Sequence, residues 1–134
     1  MIASDLTNLF ERQYFSKPHG DPFFPEACST LKEGLQCLAE IEQLSPDIDL
    51  EVLEALAIRT QEVVFDVRVC VDPFGPDHTF HLASKLAYTC ADALDSLHRR
   101  RPSRSATVTQ MIKFLRSTSA GLLTDQLRTD PEKQ

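Results

Sequence analysis

A chain of 134 residues has the length of one domain, enough to bury roughly two thirds of the surface its unfolded form exposes. With 42% hydrophobic and 25% charged residues, 4 glycines and no tryptophan, the composition excludes a disordered or fibrous protein. A formal net charge of −6 excludes a general electrostatic attraction to nucleic acid or anionic membrane and favours a basic partner.

Residues 4–15 read as a short first helix capped by Ser4, with Ile2, Leu6, Leu9 and Phe10 on one side and Gln13 at its edge. Such a helix is too short to stand alone in water and must dock. Three prolines and a glycine in residues 16–25 (SKPHGDPFFP) exclude both a helix and a central strand there. Phe23 and Phe24 in that loop either plug the end of a helical core or belong to an exposed partner-binding patch.

Residues 26–44 read as the second helix. Glu26 complements the positive end of its dipole, and Ala27, Leu31, Leu35, Leu38, Ile41 and Leu44 form the inward stripe. Gly34 costs this helix about 1 kcal/mol relative to Ala, which close approach of a neighbouring helix would explain. Residues 45–49 form a short connection, with Ser45 or Asp49 as alternative starts for the next element.

The third helix begins at about Leu50 and turns Leu53, Leu56, Ala57, Val63, Val64 and Val67 inward. Over residues 65–71 (FDVRVCV) the pattern changes to strict alternation in β-branched residues that suit a strand. A single strand has no partner elsewhere in the chain, so helix continuing to about Cys70 is preferred. A strand that pairs across a dimer is the alternative. Residues 72–76 (DPFGP) break the chain again and echo residues 21–25 (DPFFP), 51 positions earlier, with Leu31 and Leu35 matching Leu82 and Leu86. The echo reads either as a duplicated helical hairpin or as two independent uses of one helix-entry chemistry.

Residues 76–100 carry the strongest pattern in the chain. Ala83, Leu86, Ala87, Cys90, Leu94 and Leu97 recur at spacings of three and four, while His78, His81, Lys85, Thr89, Asp92 and Ser96 fall opposite. Asp77 suits the N-cap, Arg99 and Arg100 suit the last turn, and Pro102 follows. Residues 103–123 form the last helix, with Thr107 and Gln110 as a capping box and Val108, Met111, Ile112, Leu115 and Leu122 inward. The tail over residues 124–134 is polar, and its last residues should be mobile. These elements predict an all-α domain over residues 1–123, a small bundle of four principal helices, or two similar helical hairpins, plus a short N-terminal helix.

Little in the sequence carries chemistry. Cys28, Cys37, Cys70 and Cys90 are scattered, with no CxxC pair, and the N-terminus lacks the apolar stretch of a secretory signal. Free thiols in a reducing cytoplasm are therefore expected. His78 and His81 share a helix face near Asp72 and Asp77 and could begin a metal site, or could activate Cys70, yet nothing with metal-ligand spacing supplies further ligands. GxSxG, GxGxxG and GxxxxGK[ST] are absent, so acyl transfer, dinucleotide and P-loop chemistry lack local support. Arg99, Arg100, Arg101 and Arg104 form the one basic cluster, a solvated helix end or an anion site that Lys113 and Arg116 could extend towards nucleic acid. Arg100, Arg101, Pro102 and Ser103 match a short basophilic-kinase pattern that arises often by chance.

The expected role is thus a non-catalytic, cytoplasmic protein–protein interaction module, a small regulator, adaptor or inhibitor with an acidic helical surface and no cofactor or metal. The rivals are a nucleic-acid binder using Arg99–Arg104 and a metal protein or enzyme using His78, His81 and Cys70. Phe23, Phe24, Phe65 and Phe74 are the expected partner-binding side chains. With Val67, Val69 and Val71 they offer more apolar surface than one small bundle can hide, which makes a homodimer reasonable.

Overall fold

The computed structural model describes residues 2–15, 24–71 and 77–129. Among these residues the regular structure is all helical, with five α-helices and no strand. They are α1 (Ile2–Phe10), continued by a π-helical turn (Glu11–Phe15), α2 (Phe24–Gln43), α3 (Leu50–Val71), α4 (Asp77–Arg99) and α5 (Ala106–Thr129). None of these helices is long and apolar enough to cross a membrane.

The most extensive packing joins α4 to α5, followed by α2 to α3 and α3 to α5, and α1 rests on α2. The core has the expected composition: Leu31, Leu38, Leu53, Leu86, Leu94, Leu115 and Leu122 are fully buried. Each contributes about 1.5–3 kcal/mol relative to exposure. Helix α4 is covered on more than its leucine face, since Phe80, Leu82, Ser84, Ala91 and His98 are buried as well. Gly34 of α2 lies against Leu86 of α4. A Cβ placed there would stand 2.7 Å from Leu86 Cδ2, so the glycine is the condition of that contact.

Helix ends are where the structure departs from the sequence reading. Helix α1 starts at Ile2, so Ser4 lies inside it; the Ala3 N–H donates instead to Glu42 Oε1 of α2, at 2.6 Å. Ala3, Leu6 and Phe10 form its buried face, whereas Ile2 is largely exposed. Helix α2 begins at Phe24, with Pro25 in its first turn, where a missing N–H costs nothing, so the stretch expected to exclude helix ends two residues early. Helix α5 starts at Ala106, capped by Ser105 and not by the Thr107–Gln110 box: the Val108 N–H donates to Ser105 Oγ at 3.3 Å. It also runs to Thr129, past the expected end at 123, because residues 124–129 contain no glycine or proline to stop it.

The stretch over residues 65–71 is helical to Val71, as preferred, so the cross-dimer strand is set aside. Phe23, Phe74, the second DPF-type segment and all but Phe24 and Pro25 of the first lie outside the described residues, as do the last five residues of the tail.

Candidate functional site

The described residues offer three candidate surfaces: the arginine loop between α4 and α5, a groove on α4, and the outer face of α3.

The arginines are largely engaged by the fold. Arg101 Nη1 donates to the carbonyls of Pro46, at 2.9 Å, and Ile48, which ties the α4–α5 connection to the α2–α3 connection at one end of the molecule. Its Nε is buried without an acceptor among the described residues. Arg104 donates to the carbonyls of His98 (3.1 Å), Arg101 (2.8 Å) and Arg99 (3.0 Å), serving the orphan carbonyls at the C-terminus of α4. Arg99 pairs with Asp95 at 3.0 Å, and exposed Arg100 borders the groove described below.

Beneath this loop sits a trio that the sequence reading missed. His98, 3% exposed, accepts the Ser105 N–H at Nε2 (2.8 Å), and Ser105 Oγ donates to Glu54 Oε2 (3.0 Å). Serine, histidine and a carboxylate together invite comparison with a nucleophilic triad, but the roles are wrong. The hydroxyl points at the carboxylate, and the imidazole nitrogen is occupied by a main-chain donor. Burial, reinforced by the Arg104 cation, lowers the His98 pKa, so the ring is held neutral as an acceptor. The trio is a cap, and the Ser105–Ala106 step marks it only once the helix start is known.

The candidate histidines and thiols lie in different settings. His81 is exposed, the His78 side chain lies outside the described part, and half-buried Cys70 contacts Thr30 Oγ1 at 3.6 Å. Among the described residues no three His, Cys, Asp or Glu side chains are grouped to hold a metal. Burial raises the Cys28, Cys37 and Cys90 pKa values, that of Cys90 far above the ordinary thiol range.

The groove, of about 660 Å³, runs along α4 between Lys85 and Arg100, with Leu38, Ile41 and Leu97 in its floor and Tyr88 on its rim. Sequence periodicity had placed Lys85, Thr89, Asp92 and Ser96 on a polar face, which conceals the apolar floor supplied by α2.

Helix α3 is apolar on both sides. Its inner face buries Leu53, Ala57, Val64 and Val67, while outwardly Ile58 is 39%, Phe65 50% and Val69 59% exposed. At 100° per residue, Glu51, Ala55, Ile58, Glu62, Phe65 and Val69 fall within an arc of about 80°, and all six are exposed. Phe65 is the one expected partner-binding side chain that the described structure places at a surface; the Phe24 side chain lies outside it. Ile58 was missed, although its spacing of seven from Phe65 and eleven from Val69 marks the stripe.

No family model, no curated protein and no solved structure matches this chain.

Proposed function

We propose that this chain is a non-catalytic protein–protein interaction module in which four principal helices, paired as two helical hairpins, hold the outer face of α3 towards a partner. The observation that carries this reading is the exposed stripe of Ile58, Phe65 and Val69 on a helix whose other side is committed to the core. A helix needs only one apolar face to join a fold, and a second, contiguous one marks an interaction surface. The four free cysteines suit a reducing cytoplasm. The nucleic-acid alternative draws less support, since Arg101 and Arg104 are engaged with main-chain carbonyls.

Affinity capture from a native lysate tests the proposal when the immobilised chain is compared with a Phe65→Asp, Val69→Asp variant. Both positions are exposed, so the variant should keep its helical spectrum and lose no more than about 0.5 kcal/mol per substitution. A defined protein recovered by the native chain and lost with the variant is the expected result. Equal recovery by both, or recovery by neither, overturns it.

A further inference from the structure

The interaction reading leaves the partner open, and the charges around the α3 stripe restrict it. Glu62 lies on the stripe itself, one turn from both Ile58 and Phe65. Glu51 lies at its N-terminal end and Asp66 along its edge, all three exposed and without an ion pair among the described residues. Of the nearby cations, Arg59 is paired with Glu40 of α2 at 2.9 Å, and Arg68 is drawn away over α5, its guanidinium lying where a Gly121 Cβ would stand. What faces outward is an apolar strip about 16 Å long, from Ile58 to Val69, set among carboxylates that no cation of the described residues pairs.

Resting on the interaction reading above, we infer that the outer face of α3 docks a basic amphipathic helix of a partner protein. The partner's apolar side chains pack between Ile58, Phe65 and Val69, and a lysine or arginine among them meets Glu62. Helix-on-helix docking matches residues repeating at three and four, and the uncompensated carboxylates set the sign of the charge that approaches. A second copy of this chain fits less well. In a twofold antiparallel pairing with Ile58 opposite Phe65, the two Glu62 carboxylates meet near the axis and repel, while each Arg59 stays with its own Glu40.

The test uses a synthetic amphipathic peptide of about 18 residues, with leucines at helical spacing and lysines on and beside that stripe, and a twin in which glutamate replaces every lysine. With isotope-labelled full-length chain at low ionic strength, the lysine peptide should bind saturably and shift the amide resonances of Ile58, Glu62, Phe65 and Val69. The glutamate twin should not bind. Glu62→Lys should weaken the lysine peptide about tenfold or more, as should Phe65→Ala, and rising salt should weaken the native pair. Absence of saturable binding, equal binding of both peptides, or shifts confined to the groove around Lys85 and Tyr88 overturns the inference. So does a sedimentation result in which the chain alone is a dimer that Phe65→Asp dissociates. The lysate comparison fails separately: a partner lost with the Phe65 variant while the lysine peptide is ignored leaves the interaction reading in place and removes only the basic helix.

Discussion

The start of α5 depends on one imidazole staying neutral. His98 Nε2 accepts the Ser105 N–H, and a proton on that nitrogen would set donor against donor in a site 3% exposed. Because burial and Arg104 hold its pKa below the ordinary value, the unfolded chain, whose histidine titrates near about 6.5, binds the proton first as pH falls. Stability linked to His98 is therefore fully present above that pH and is lost as pH drops towards the folded pKa. Thermal unfolding followed by circular dichroism should show a melting temperature that is level above about pH 7 and declines as the pH falls below about 6.5. His98→Gln, which keeps an acceptor but cannot titrate, should flatten that decline. A decline of equal size in the variant would assign it to other groups. This trio is not legible in the sequence, because Glu54, His98 and Ser105 are brought together by helix ends that periodicity does not locate.

Among the elements, α2 and α4 are coupled at Gly34. Alanine there would gain up to about 1 kcal/mol of helix propensity, yet its Cβ would stand 2.7 Å from Leu86 Cδ2. Leu86 is fully buried, so moving its methyl aside disturbs the core around it, and overpacking at about 1–3 kcal/mol should outweigh the gain. Urea unfolding of Gly34→Ala is expected to show a net loss of about 1 kcal/mol. Leu86→Ala alone should cost about 2–5 kcal/mol, and the double variant should cost less than the two losses combined, since the new methyl enters the space that Leu86 vacates. Additive losses would mean that the helices do not meet at this point. Here the sequence was legible, since a glycine in the middle of a leucine stripe already asked for a close neighbour. The alternation in residues 65–71 was harder to interpret. It resembles a strand because α3 is apolar on two sides, with Val67 turned inward and Phe65 and Val69 outward, so no single helical face dominates the pattern.

At the scale of the molecule, the helices and most of the core could be read from leucine spacing alone, because burying one face of each helix dominates the energetics. The ends and the surfaces were less legible. They depend on contacts between distant segments, such as Glu42 with Ala3 or Arg101 with Pro46 and Ile48, which local periodicity does not encode. Whether these segments unfold as one unit can be asked of the cysteines. Cys37 and Cys90 are fully buried on α2 and α4, and burial pushes both thiols up in pKa, Cys90 the further; Cys28 and Cys70 are only half-buried. A reagent must reach the sulfur, so a disulfide reagent at neutral pH should label Cys28 and Cys70 in the native protein and leave the two fully buried thiols untouched. Cys90 touches the core from the most covered helix, and no local fraying should expose it. Its labelling should therefore require global opening, with a free energy equal to that from denaturant unfolding and the same dependence on urea. Labelling of Cys90 at a markedly lower cost would mean that α4 can leave the other helices before the rest of the fold is lost.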